Sequence, residues 1–196
     1  LFRLKHFDLA IIDEATQILE PQLLGILCAR GEDGKDAIDK FVLIGDHKQL
    51  PAVVQQNTEQ SAIYDESLLS IGLTNLKDSL FERLYRNCTA TVHRSYDMLC
   101  RQGRMHPEVA LFANRAFYGG RLIPVGLPHQ IESSDTICRL AFYPSVPEKV
   151  GASAKINYSE ARIVADLAVR IYEDHQTDFD ESRTLGIITP YRSQIA

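Results

Sequence analysis

The chain has 196 residues, of which 45% are hydrophobic and 24% charged, a balance that suits one ordinary globular domain or two small ones and excludes a disordered chain. Its formal net charge of −5 announces no basic face for nucleic acid, although an acidic total can hide a local patch. There is no signal peptide and no apolar run of ~18 residues, and Cys28, Cys88, Cys100 and Cys138 form no CxxC pair, so separate thiols in a reducing, cytoplasmic setting without a membrane partner are expected.

The first element in chain order is "DLAIIDEA", residues 8 to 15, an apolar run that stops abruptly at Asp13 and Glu14. Continuous rather than alternating hydrophobicity is the mark of a strand covered on both faces, which favours a parallel sheet. The segment "ARGEDGKDAIDK" that follows reads as a loop. "KFVLIGDHKQLP", residues 40 to 51, repeats the grammar of the first strand and ends in Asp46, His47 and Gln49. From Lys77 to His106, Lys77, Arg83, Arg86, Arg94, Arg101 and Arg104 outnumber Asp78, Glu82 and Asp97, so the middle of the chain is locally basic. A zinc site from Cys88, His93, Cys100 and His106 does not match the usual ligand spacings.

"RQGRMHP" places Gln102 and Arg104 just before a predicted helix, "HPEVALFANRAFYGG", which starts with Pro107 and stops at Gly119 and Gly120. "CRLAFYPSV", residues 138 to 146, is a further strand candidate, while "TVHRSYDML", residues 91 to 99, is too polar to be assigned. "NYSEARIVADLAVRIYED" has apolar residues at helical spacing, and Asn157 with Glu160 has the form of a capping box. The acidic segment 173 to 181 reads as a solvated connection, and "TLGIITPYRSQ", residues 184 to 194, as a last strand with polar residues at its end. Strands and helices alternate, so the fold class is α/β, with a boundary near residue 100 that divides the chain into 1–100 and 101–196. Acids and amides at the carboxyl ends of parallel strands stand at the edge where open α/β sheets bind ligands.

The chemistry of these residues fits magnesium-dependent nucleotide hydrolysis. One carboxylate of the Asp13–Glu14 pair can hold a hydrated Mg²⁺ and its neighbour can take a proton from the attacking water. Gln49 can orient that water or sense a terminal phosphate, and Arg104 can offset transition-state charge as an arginine finger.

Taken together, "DEAT", "GDHKQLPAV", "SLFERL", "RQGRMHPEV", "FYGGRL", "NYSEA" and "LGIITPYRSQ" occur in the order found in superfamily 1 helicases of the RNA-surveillance and Okazaki-processing (DNA2/NAM7-like) branch, which the chain resembles over nearly its whole length. The resemblance implies a RecA-like, P-loop NTPase helicase core made of two partial RecA-like domains, using ATP and Mg²⁺ and moving along single-stranded DNA or RNA. It assigns metal binding to Asp13, water activation to Glu14, γ-phosphate sensing to Gln49 and the finger to Arg104. Asp46 and Gln102 join Asp13 in nucleotide binding. Glu160 either approaches the nucleotide or only closes the capping box of its helix. Thr189, Tyr191, Arg192 and Gln194 are implied to lie near the nucleic-acid track.

The sequence departs from the family in three places, one of them the absence of the final arginine-bearing element expected downstream of "ITPYRSQ". Gly103 stands where an aromatic residue commonly supports the base, and no GxxxxGK[ST] loop is present, since "GEDGKDAI" has Asp36 after its Gly-Lys and follows the DEAT strand. The chain therefore reads as the core of a larger enzyme, inactive as an isolated piece and prone to self-association. The alternative is a non-catalytic scaffold derived from a helicase.

Overall fold

The computed structural model describes residues 5–91, 95–132, 138–146 and 155–195. The chain forms two compact units, Leu1–Met105 with Ala110–Gln130, and His106–Val109 with Ile131–Ala196.

In the first unit, β1 (Ala10–Ile12) and β2 (Phe41–Leu43) pair in parallel, with Ala10, Ile11 and Ile12 opposite Phe41, Val42 and Leu43. The register continues on both sides: Phe7 bridges Ile38, Ile44 N donates to Ile12 O at 2.8 Å, and Ala15 N donates to Ile44 O at 2.8 Å. Parallel pairing brings the polar residues after both strands to a single edge. The expectation of a sheet covered on both faces is not met. Ile11 is 63% exposed and its register partner Val42 46%, and since side chains alternate faces along a strand, the face carrying this pair is open.

The crossover holds α1 (Glu20–Leu27), whose first turn contains Pro21 and is closed by Leu19 N donating to the Gln22 amide oxygen at 3.1 Å. Leu23 of this helix is fully buried and, with Ala15, Ala37, Ile38, Leu73 and Leu80, makes the core. Residues 29–40 form the expected loop, tied by Gly31 N to Lys35 O and Ala37 N to Ala29 O. After β2 come α2 (Thr58–Ser61), capped by Asn57, α3 (Glu66–Ser70), capped by Asp65, and α4 (Leu80–Ala90). Ser79 and Glu82 cap α4 reciprocally, as a serine followed three residues later by glutamate does. Arg83 of α4 reaches Glu20 of α1 with Nε at 2.9 Å and Nη2 at 2.5 Å, both side chains almost fully buried, and donates through Nη1 to Ile71 O at 3.1 Å.

Of the basic stretch, Arg83 is the buried member among the described residues and pairs with Glu20; Arg86 pairs with Asp78 and Lys77 donates to Thr58, while Arg86, Arg101 and Arg104 are exposed. His93 and Arg94, together with part of the 91–99 segment, lie outside the described residues.

A second parallel pair, β3 (Arg101–Gln102) and β4 (Ile123–Pro124), flanks α5 (Pro107–Phe117) in sequence. The helix starts at Pro107 as expected, and Gly119 and Gly120 follow it with φ of 61° and 74°, the left-handed backbone that favours glycine at a helix end. The short α6 (Pro128–Ile131) comes next in the chain.

In the second unit α7 (Tyr158–Asp174) is the long amphipathic helix the spacing predicts, capped by the Asn157 side chain, which accepts from Glu160 N. The strands expected at 138–146 and within 184–194 do not form: neither segment joins a sheet among the described residues, and Ile188 is 96% exposed. A strand is made by ladder bonds to a neighbour, and no described strand runs beside either run. The chain is thus α/β, with two short parallel sheets and flanking helices.

Candidate functional site

The acids after β1 sit on a forced turn. Glu14 has φ 52° and ψ 34°, the left-handed region, and is the one non-glycine residue with positive φ among the described residues. Such a conformation costs an ordinary L-residue about 1 kcal/mol or more. It is held from both sides. Glu14 N donates to the Asp13 carboxylate at 2.9 Å, Gln17 Nε2 donates to the Glu14 carboxylate at 3.2 Å, and the bond from Ala15 N to Ile44 clamps the next residue to the end of β2. Both acids are exposed, and neither is ion-paired with a described residue. The described His and acid groups that cluster within 4.8 Å are His6, Asp8 and Asp39, exposed at the opposite edge of the sheet. A magnesium ion on Asp13 would take its remaining oxygens from phosphate and water, as this ion commonly does.

Beyond β2, Gly45 faces Thr16: a Cβ there would lie 2.9 Å from Thr16 Cγ2 and 3.1 Å from Thr16 N, which explains the glycine. Asp46 is the hub of the edge. Its Oδ1 accepts from Lys48 N at 3.0 Å, and its Oδ2 accepts both from Gln49 Nε2 at 3.0 Å and from the Tyr118 hydroxyl at 2.5 Å. Partial burial pushes the Asp46 carboxyl up, but the bonds from Tyr118, Lys48 N and Gln49 and the nearby His47 outweigh it and hold the group below the usual range. The same burial and the Asp46 bond push the Tyr118 phenol up to about 12. His47 packs its ring against Tyr85 at 4.6 Å, and Tyr85 meets Tyr96 edge-on at 5.1 Å.

Gln102 is turned inward. Its Nε2 donates to Met105 O and its Oε1 accepts from Met105 N, each at 2.8 Å, closing the loop that carries Arg104. Gln130 reinforces the loop by donating to Gln102 O and Met105 O, and His129 Nε2 donates to Gly103 O at 3.0 Å. A Cβ on Gly103 would come 3.2 Å from Leu127 Cδ1, so an aromatic residue there would require Leu127 to shift. Arg104 is exposed and pairs with none of the described residues.

In the second unit Glu160 accepts from Ser145 Oγ at 2.8 Å, which replaces the back-bond of a full capping box. Asn157 N instead donates to Gln194 Oε1 at 2.7 Å, and Gln194 Nε2 donates to Asn157 O at 2.8 Å. The Gln194 amide therefore pins the start of α7. Thr189 Oγ1 accepts from Tyr191 N at 3.5 Å, Lys155 Nζ lies 5.3 Å from the Tyr191 ring centroid, and Arg192 is exposed.

The structure thus gathers Asp13, Glu14, Asp46 and Gln49 at one sheet edge, places Gln102 and Arg104 after a second sheet, and holds Thr189, Tyr191, Arg192 and Gln194 together near the start of α7. Sequence reasoning missed Tyr118 and Gln130. Tyr118 sits inside "FYGGRL", where the tyrosine just ahead of two glycines was a usable signal; Gln130 gave none.

Residues 76–196, more than half of the chain, match an AAA domain family, and residues 1–57 match a second AAA domain family. The chain belongs to the superfamily 1 DNA2/NAM7-like helicases. It is 30% identical, over its whole length, to the DNA replication ATP-dependent helicase/nuclease DNA2 of Xenopus laevis, and 31% identical over 96% of its length to a probable helicase of Dictyostelium discoideum. To the probable helicase senataxin of Mus musculus it is 27% identical over 96% of its length. It spans 19%, 18% and 7% of these relatives. The two short parallel sheets with flanking helices are consistent with a RecA-like domain of this helicase family. Among the described residues no helix is long and apolar enough to cross a membrane.

Proposed function

We propose that this chain carries part of the ATPase core of a helicase that couples Mg-ATP hydrolysis to movement along single-stranded DNA or RNA, 1–100 and 101–196 belonging to its two RecA-like domains. The observation that carries the reading is the parallel register of β1 and β2, which delivers Asp13 and Glu14 to the same edge as Asp46 and Gln49. In this reading Asp13 is the carboxylate that would hold Mg²⁺, with its Oδ2 unused and no cationic partner competing for it among the described residues. Bound magnesium would supply charge neutralisation across the phosphates. Glu14, free of ion pairs among the described residues, accepts a proton from water. Gln49, anchored through Nε2, keeps Oε1 as an acceptor for that water. Arg104, exposed on a loop braced by Gln102 and Gln130, is available to transition-state charge. Thr189, Tyr191 and Arg192 contribute contacts to the nucleic-acid backbone, while Glu160 approaches the nucleotide from the second domain. The four free thiols suit a reducing, cytoplasmic compartment.

The 196 residues contain no GxxxxGK[ST] loop. By themselves they should bind Mg-ATP weakly and hydrolyse it hardly at all, because the backbone amides and lysine that cradle the β- and γ-phosphates belong to that loop. The open apolar face of β1 and β2 also leads us to expect the 196-residue chain to associate with a second copy.

The test is ATP hydrolysis by the protein expressed from its complete gene, with and without single-stranded DNA or RNA, beside Glu14→Gln. Turnover stimulated by one nucleic acid and reduced by about a thousandfold or more in Glu14→Gln, with ATP binding retained, is the expected result. Unchanged turnover in Glu14→Gln would remove Glu14 from the chemistry. No turnover in the wild type would favour the scaffold reading.

A further inference from the structure

Asp46 Oδ2 carries two donors at once, the Tyr118 hydroxyl and the Gln49 amide. An ionised carboxylate only accepts hydrogen bonds, so the Gln49 group facing it must be the NH₂. The end of the Gln49 side chain left without a partner among the described residues is Oε1, an acceptor of the kind an attacking water requires. The Tyr118 hydroxyl shares Oδ2 with the Gln49 NH₂, so it fixes the rotation of the carboxylate that receives that amide.

We propose that Tyr118 is a positioning residue for nucleotide hydrolysis, fixing the amide orientation of Gln49 through its hydrogen bond to Asp46. The inference rests on the proposed function of this edge and deepens it. Tyr118 itself touches neither Gln49 nor any acid after β1 in the bonds described above. Its place in the sequence, directly before Gly119 and Gly120 at the end of α5, has a mechanical consequence. The α5–β4 connection that carries it is set by reciprocal bonds between Asn114 and Leu122, with Asn114 Nδ2 to Leu122 O at 3.0 Å and Leu122 N to Asn114 Oδ1 at 2.9 Å. The hydroxyl is thus presented from a braced turn rather than from a free loop. Only the hydroxyl takes part, so removing one oxygen is the minimal perturbation.

Two measurements on the protein expressed from its complete gene test this. The first is a tyrosinate absorbance titration of wild type and Asp46→Asn. The wild type should have one more tyrosine that ionises late, near 12, than Asp46→Asn has; equal numbers of late tyrosines in the two proteins would overturn the contact. The second is a cycle of Tyr118→Phe, Gln49→Ala and the double variant, read as kcat and KM for ATP. Tyr118→Phe should lower kcat by about tenfold with KM little changed, and the double variant should be no slower than Gln49→Ala alone, because both changes act on one element. Wild-type kcat in Tyr118→Phe, or losses that multiply in the double variant, would overturn the proposal while leaving the ATPase reading intact. A wild-type protein without turnover would instead overturn the ATPase reading and any positioning role with it, whatever the titration reports about the contact.

Discussion

At the scale of single residues, the Asp46–Tyr118 bond makes the stability of the first unit depend on pH at both ends of the scale. Tyr118 has a folded pKa raised to about 12 from an ordinary value of 10.0. Its contribution is fully present below pH 10 and is lost as pH rises towards 12. Asp46 is shifted the other way, so its contribution is present above an ordinary value of 3.8 and is lost as pH falls through the lower folded value. Urea midpoints should therefore fall more steeply between pH 10 and 12 in the wild type than in Tyr118→Phe. Parallel curves would show that the phenol and the carboxylate are not coupled. Much of this edge could be read from residue types, since Asp13, Glu14, Asp46 and Gln49 follow the two apolar runs directly. The Tyr118 partner could not, because it lies 72 residues from Asp46 and no local pattern encodes so distant a bond.

Among the elements, the Glu20–Arg83 pair is the principal polar tie between α1 and α4. Its side chains are only 4% and 10% exposed, and a buried charge that loses its partner is costly. Arg83→Met should destabilise the first unit by about 3 kcal/mol or more, while the paired change Glu20→Leu with Arg83→Met should recover most of the loss. Chemical denaturation of the three variants separates the cases; an Arg83→Met protein as stable as wild type would show the pair to be dispensable. This pair also explains why "SLFERL" is more than a label: Ser79 caps the helix, Glu82 completes the cap and Arg83 reaches the ion pair. The helices with strong periodicity and caps, α5 and α7, were legible because their signals are local. The strands at 138–146 and 184–194 were not decided by their own residues, since a strand exists only where another lies beside it.

For the whole molecule, the uneven distribution of apolar surface matters most. Among the described residues the buried side chains belong to the first unit, whereas Ile11, Val42 and Ile44 remain exposed along its sheet. An apolar sheet surface left open invites pairing with another copy. Sedimentation of the 196-residue chain should give an average mass that rises with concentration, and Val42→Lys on the open face should suppress the rise. A monomer at every concentration would mean that this face is tolerated in water. The alternation of strand-like and helical runs foretold an α/β chain, but the one-sided sheet was invisible to it, because the run "AII" reads the same whether one face is covered or two.

The left-handed backbone at Glu14 separates two demands that a single position usually confounds. Residues that tolerate positive φ, such as asparagine, suit the turn but bring no proton acceptor, while β-branched residues oppose the turn whatever their polarity. Tolerance to substitution at Glu14 should therefore follow two unrelated rankings, one for folding and one for chemistry. The position is held by glutamate although the turn itself would favour asparagine or glycine.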